Sequence, residues 1–124
     1  MMKKLGGGIL MPYIHITCNQ PLDTIACEQL RESFSQAVTL LPGKNKNNAM
    51  IRIEPNCFTE MGETGQPCAG IEVRLYKQSP LEAKQAFTKK ACELMEQVCS
   101  VPCGRTYVMF IELPQWGMNG QLKG

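Results

Sequence analysis

The chain has 124 residues and a formal net charge of +2, with 44% hydrophobic and 19% charged residues, which is the balance of one globular domain. Its basic residues are interspersed with acidic ones, so the sequence has neither the basic face of a nucleic-acid-binding protein nor a polybasic membrane patch. No apolar stretch is long enough to span a bilayer, and we predict no nucleic-acid partner and no membrane partner.

The first eleven residues differ in character from the rest. Lys3 and Lys4 precede a short apolar stretch that contains three glycines, at positions 6–8. This stretch is too short and too rich in glycine for the core of a secretory signal, and no small-residue cleavage site follows it. We therefore predict a cytoplasmic protein with an N-terminal extension, residues 1–11, and one domain, residues 12–124.

The first half of the domain reads as strand, helix, strand. Alternating apolar residues predict a strand over 11–18. Asp23 or Thr24 can cap a helix that Pro42-Gly43 ends. A second strand follows over 49–54. The apolar positions of the helix are Ile25, Ala26, Leu30, Phe34, Ala37 and Leu41.

The second half repeats that order after a glycine-containing loop or short hairpin over 56–67. Strands are predicted over 68–76 and 106–113, and the helix between them opens at Ser79-Pro80. No element is assigned to the tail. The apolar positions of this helix are Ala83, Ala86, Phe87, Ala91, Leu94, Met95 and Val98.

The two halves indicate a duplicated β-α-β unit. Each crossover should be right-handed, with its two strands parallel and its helix on one face. We predict an α+β fold in which one four-stranded mixed sheet carries both helices on the same face. The other face is then bare. Apolar strand residues such as Ile14, Ile51 and Val108 suggest that a homo-oligomer packs the bare faces together.

The cysteines do not indicate a disulfide framework or a metal site. There are seven of them, an odd number, and no Cys-x-x-Cys occurs. The single histidine, His15, lies far in sequence from the pair Cys99 and Cys103, so a zinc site is not supported. We predict reduced thiols and no metal.

Three stretches together resemble one known family. The first is Met11-Pro12 at the start of the first strand. The second runs from Gly43-Lys44 through Pro55 to Met61-Gly62 and Pro67-Cys68-Ala69. The third is Tyr107 with the tail Trp116-Gly117-Met118-Asn119-Gly120. In this order they are similar to the tautomerase superfamily, in its macrophage migration inhibitory factor and phenylpyruvate tautomerase branch, from Met11 to about Leu122.

The resemblance implies a homotrimer of β-α-β-β-α-β protomers whose sheets line a central barrel. Active sites would lie between subunits, around an amino-terminal proline. The implied activity is keto–enol tautomerisation of phenylpyruvate-like 2-oxo acids, without a cofactor.

Pro12 is the candidate catalytic base. If Met11 starts translation, its removal leaves a free secondary amine, and α-amines titrate near roughly 8. An apolar pocket and a nearby cation would lower that pKa and make the amine an effective general base. The alternative is that Pro12 only starts an edge strand, where its missing N–H costs nothing.

Residues 1–11 conflict with that role, because the nitrogen of an internal proline is a non-basic amide. One hypothesis is that the codons of Gly6 to Gly8 include a ribosome-binding sequence and that the cellular protein begins at Met11. The alternative is a genuine extension that disables or gates the site.

The resemblance assigns further residues to the site. Lys44 would bind a substrate carboxylate, although it also fits a solvated loop lysine, and Lys46 is close by in sequence. Tyr107 would come from a neighbouring subunit, or else be a core aromatic residue. Met109 stands where the mammalian pattern has asparagine, which makes the pocket more apolar and puts substrate preference in doubt.

Two residues of the third strand complete the predicted site. Tyr76 ends that strand, where the family binds substrate through a main-chain N–H. Arg74 lies on the same face, and superfamily decarboxylases and dehalogenases use arginines in this area. We consider it more consistent with pairing to Glu72 or to a neighbour on an adjacent strand.

Two other functions remain as alternatives to the tautomerase. One is a non-catalytic trimeric binding protein with Pro12 blocked by the extension. The other is a superfamily lyase, a decarboxylase or hydratase of small unsaturated acids.

Overall fold

A computed structural model describes residues 11–43 and 46–124 of the chain. The α-helices are α1 (Thr24–Ala37) and α2 (Leu81–Cys99), and 3-10 turns occur at Val38–Leu40, Lys46–Asn48 and Cys103–Arg105. The strands are β1 (Tyr13–Cys18), β2 (Met50–Glu54), β3 (Ala69–Tyr76), β4 (Thr106–Leu113), β5 (Trp116–Met118) and β6 (Gln121–Lys123).

The first four strands form one mixed sheet in the order β2-β1-β3-β4. β1 pairs with β2 in parallel, and β3 pairs with β4 in parallel, each pair being joined through one helix. The two units meet where β1 and β3 pair antiparallel. The predicted α+β fold, with a duplicated β-α-β unit and a four-stranded mixed sheet, is confirmed.

Local chemistry explains where the helices begin and end. The Asp23 carboxylate accepts a hydrogen bond from the Ala26 N–H at 2.8 Å, which satisfies a donor that the first turn of α1 leaves free. Pro80 precedes α2 with extended backbone, so its missing N–H costs nothing there. α2 ends at Ser100, which adopts a left-handed backbone conformation with φ 57°.

Both helices bury their apolar positions against one face of the sheet. The rings of Phe34 and Phe87 are fully buried, and their centroids lie 6.1 Å apart across the two helices. Phe87 also meets Phe110 of β4 edge-on at 6.0 Å. These rings join α1, α2 and the sheet into one core, and tilted aromatic pairs contribute beyond their buried area.

The prediction that two residues lie on the apolar faces of the helices is wrong. Ile25 is 75% exposed, and Ala86 is exposed as well. Ile25 precedes the buried Leu30 by five residues, which places it about 140° around α1 from the buried line. Ile25 is apolar like the buried residues of α1, but it lies on another side of the helix.

The open face of the sheet is more polar than the sequence suggested. Ile14 is fully buried and Ile51 packs against the same core, so both belong to the face that the helices cover. The expectation that these residues leave a bare apolar surface is wrong, because strand side chains alternate and the helices take the apolar set. On the open face, the exposed large hydrophobic side chains are Met50 of β2 and Tyr107, Met109 and Ile111 of β4.

A short antiparallel hairpin, β5–β6, follows the sheet and was not predicted. Its turn is Asn119-Gly120, and both residues have positive φ, 54° and 74°. An Asn-Gly pair is the strongest short signal for a two-residue hairpin turn, so the sequence did carry the information. The loop over 56–67 contains one bridge, between Met61 and Thr64, as the predicted short hairpin requires.

Candidate functional site

Pro12 lies directly before β1, at one end of the sheet. Its side chain is buried, and its carbonyl oxygen accepts a hydrogen bond from the Met50 N–H at 3.0 Å. Met11, which precedes it, is also buried, with 4% of its surface exposed. In this chain the nitrogen of Pro12 is the amide that joins it to Met11. Removing Met11 would therefore both free the amine and empty a buried position beside it.

Tyr76 lies at the same end of the sheet as Pro12. In the antiparallel pairing of β1 with β3, Tyr13 is opposite Arg74. Continued by two residues, this register brings Met11 level with Tyr76. Tyr76 is 7% exposed, so a group in the place of Met11 would meet a mostly buried tyrosine.

Arg74 is close to this end but is already paired. Its Nη2 donates to Glu72 Oε1 at 2.9 Å, and its guanidinium lies 5.8 Å from the centre of the Tyr13 ring. The interpretation that Arg74 pairs with Glu72 is confirmed. The Arg74 side chain is 45% exposed, and such surface pairs contribute little free energy, so an anionic ligand can compete for it.

Lys44 lies outside the described residues, as does the side chain of Lys46. The role predicted for Lys44 as a carboxylate-binding cation therefore stays a prediction. The described residue before it, Gly43, has a positive φ of 74° and lies just after the buried Leu41.

Tyr107 and Met109 lie in the other half of the sheet. They are 61% and 41% exposed on β4. Tyr107 is opposite Gly70, and Gly70 is opposite Thr17. Thr17 and Pro12 are five residues apart along β1, a distance of about 16 Å at the rise of an extended strand. A single chain therefore does not bring Tyr107 and Pro12 into one pocket.

Sequence reasoning missed a polar cluster on the open face, formed by His15, Glu54 and Arg52. His15 Nε2 hydrogen bonds to Glu54 Oε1, and Arg52 Nη2 donates to Glu54 Oε2 at 3.2 Å. The hydrogen bond with His15, first, and the positive charge of Arg52 hold the pKa of Glu54 below its ordinary value. The alternation within β1 and β2 was the available signal, because it places these three side chains on one face.

The cysteines include one close pair in the core. All seven thiols are free, and Cys18 and Cys99 are 2% and 4% exposed. The pKa of the Cys99 thiol is raised by the neighbouring Cys18 side chain and by burial, so Cys99 stays protonated. Among the described residues, no three His, Cys, Asp or Glu side chains are arranged to hold a metal ion.

No helix among residues 11–43 and 46–124 combines the length and apolar character needed to cross a bilayer.

The fold defines a class of small α+β proteins built from two β-α-β units that share one mixed sheet. Within that class, the family model for macrophage migration inhibitory factor (MIF) matches residues 11–122. The chain therefore belongs to the MIF family, and the resemblance inferred from the sequence is confirmed. Among curated proteins, none matches the sequence.

Several solved structures have the same fold at low sequence identity. Leishmania major MIF2 is 18% identical, with a TM-score of 0.85, over 91% of this chain and 97% of that one. The macrophage migration inhibitory factor-like protein of Entamoeba histolytica is 16% identical, with a TM-score of 0.82, over 91% and 99%. A fused 4-OT asymmetric trimer is 21% identical, with a TM-score of 0.77, over 88% and 94%.

Proposed function

We propose that this protein is a cofactor-independent keto–enol tautomerase of phenylpyruvate-like 2-oxo acids, with the amine of Pro12 as its general base. The proposal rests chiefly on the position of Pro12. It is buried, it directly precedes β1, and the β1–β3 register continued by one residue brings it level with Leu75, the residue before Tyr76. Membership of the MIF family supports the same activity.

The reaction moves one proton from a substrate carbon to the amine and then one proton from the amine back to the substrate. The neutral amine takes a proton from the carbon next to the carbonyl of the 2-oxo acid, and the electron pair of that C–H bond moves to form the enolate. The protonated amine then gives that proton to the enolate oxygen, which yields the enol and restores the neutral amine. Because burial and a nearby cation both disfavour the ammonium form, the pKa of a Pro12 amine should fall below that of an ordinary α-amine.

Other residues would bind and orient the substrate. Lys44 would pair with the carboxylate, Arg74 and Tyr76 would line the Pro12 end, and Tyr107 and Met109 would be supplied by a second copy. Tyr107 is level with Thr17, and the offset of about 16 Å along the strands between that level and Pro12 favours a site shared between copies. We propose a homotrimer, as in the fused 4-OT relative, whose name describes a trimer.

This function requires that the working chain begin at Pro12. The intact mass of the protein purified from its native cells tests that requirement, since a mass that includes Met1 contradicts it. Two recombinant proteins should then be compared with phenylpyruvate, one starting at Met11 and one retaining residues 1–10 uncleaved. Only the first should accelerate tautomerisation, and its Pro12→Gly variant should be much slower.

One observation favours a second function, that of a trimeric binding protein. Met11 is buried, so a chain that keeps it has a filled site and an amide at Pro12. If mass spectrometry shows that Met11 is retained, the protein should be inactive whether it begins at Met1 or at Met11. Full activity of Pro12→Gly would instead contradict the proposed mechanism while leaving the family assignment intact.

A further inference from the structure

Lys77, the residue that follows β3, has an unusual backbone conformation. Its φ is +70°, in the left-handed region that favours glycine, and its N–H donates to the Leu113 carbonyl at 2.9 Å. This hydrogen bond ties the residue to the end of β4. The conformation and this hydrogen bond fix where the Lys77 side chain leaves the end of β3.

The side chain of Lys77 has a defined direction. Its ammonium nitrogen lies 5.2 Å from the centre of the Tyr76 ring, within the range of a cation–π contact. Lys77 also lines a cleft of about 460 Å³ together with Gln78, Glu112, Leu113 and Pro114. Lys77 therefore lines a cleft large enough for a small organic acid, with its ammonium beside the Tyr76 ring.

The acidic group in the cleft does not neutralise Lys77. Both oxygens of Glu112 lie 3.1 Å from the ammonium of Lys84, and one also accepts from the Ser79 N–H at 2.8 Å. Within the described part of the chain, no carboxylate lies within 4.0 Å of the Lys77 ammonium. Its charge is thus available to an anion from outside.

The position of Lys77 relates it to Pro12. The β1–β3 register brings Met11 level with Tyr76, and Lys77 is the next residue along. A substrate whose reacting carbon lies at the Pro12 amine would extend past Tyr76 towards Lys77. We infer that Lys77 binds a second carboxylate of the substrate, so that the site accepts 2-oxo dicarboxylic acids. The inference rests on the proposed function of Pro12.

The test compares one dicarboxylate with one monocarboxylate in the protein that begins at Pro12. The probes are 2-oxoglutarate and phenylpyruvate, and the readout for both is exchange of the hydrogens next to the carbonyl for deuterium, followed by NMR. In Lys77→Gln, KM for 2-oxoglutarate should rise about tenfold with kcat nearly unchanged, because a charge-assisted contact is lost. KM for phenylpyruvate should stay within about twofold.

Two further variants separate charge from structure. Lys77→Arg keeps a cation and should retain most of the affinity for 2-oxoglutarate. Lys90→Gln removes an exposed lysine from α2 and should change KM for neither substrate. If Lys77→Gln changes both KM values equally, or neither, the inference is overturned.

A binding measurement distinguishes failure of this inference from failure of the proposed function. Calorimetric titration with 2-oxoglutarate needs no turnover. A protein that exchanges neither probe contradicts the catalytic role of Pro12. In that protein, weaker binding by Lys77→Gln than by Lys90→Gln still supports the carboxylate contact, and equal binding overturns it.

Discussion

Tyr107 and Pro12 lie at opposite ends of one sheet, and the pairings through Gly70 and Thr17 offset them by about 16 Å along the strand direction. Both residues belong to the proposed site, so each site must combine Pro12 of one copy with Tyr107 of another. This arrangement makes a prediction that a site within one chain does not.

Mixing two inactive variants should restore part of the activity. Pro12→Gly and Tyr107→Ala should each be slow with phenylpyruvate. After unfolding and refolding together, some sites will receive an intact Pro12 and an intact Tyr107 from different copies. The mixture should then exceed the sum of the separately refolded variants. Activity equal to that sum would mean that the two residues do not share a site.

The side chain of Asn19 should be important for the loop over 56–67. Its Nδ2 lies 3.3, 3.1 and 3.0 Å from the carbonyl oxygens of Thr59, Gly65 and Gln66, and its Oδ1 accepts from the Cys68 N–H at 2.9 Å. Asn19→Ala should lower the free energy of unfolding by about 1–3 kcal/mol, because it strips partners from several backbone groups. Urea unfolding measures the change.

The matched control for Asn19 is an exposed residue that makes no such bonds within residues 11–43 and 46–124. Gln85→Ala on α2 should change the free energy of unfolding by less than about 0.5 kcal/mol. If Asn19→Ala behaves like Gln85→Ala, the loop does not depend on that side chain. Hydrogen exchange at the Cys68 amide gives a local readout, and it should become faster only in the Asn19 variant.

Phe87 should be among the most costly core residues to truncate. Its ring is fully buried between Phe34 and Phe110. Phe87→Ala should destabilise the fold by about 3–5 kcal/mol, and Phe87→Leu by less, because leucine leaves a smaller cavity. Thermal or urea unfolding checks the order, and equal losses for both variants would contradict the packing described here.

Stability should depend on pH through Glu54. His15 and Arg52 lower the pKa of this carboxyl from its ordinary value of 4.5. A group with a lowered folded pKa stabilises the fold above its unfolded pKa, and that contribution is lost as pH falls through the folded pKa. The melting temperature should therefore fall more steeply below about pH 4 in the wild type than in Glu54→Gln. Glu60→Gln, on an exposed loop position, should leave the profile unchanged.

Much of the fold could be predicted from local chemistry. The fourth strand was predicted over 106–113, where β4 occurs, and Asp23, one of the two predicted caps with Thr24, caps α1 because a short carboxylate satisfies free helix N–H groups. The hairpin at Asn119-Gly120 was missed although its signal was present. Ile25 was misplaced because helical spacing alone does not say which side of a helix faces the sheet.

The candidate site was predictable only as a set of residue types. The motif around Met11-Pro12 led to the MIF family, and Arg74 was correctly paired with Glu72 because side chains two apart on a strand share a face. Lys77 was not singled out, since an exposed lysine after a strand has no sequence signature. Its backbone angle and its place over Tyr76 are visible only in the folded chain.

The sequence by itself determined the duplicated β-α-β order, because periodicity, capping and turn chemistry act over a few residues. Its motifs also indicated the family and singled out Pro12 as the candidate base. Only the tertiary structure decided which residues can meet. The register between β1 and β3 brings Pro12 towards Tyr76 and Lys77, and the register between β3 and β4 keeps Tyr107 away. Strand register pairs residues that are distant in sequence, and so it decides that the two halves of the proposed site lie apart within one chain.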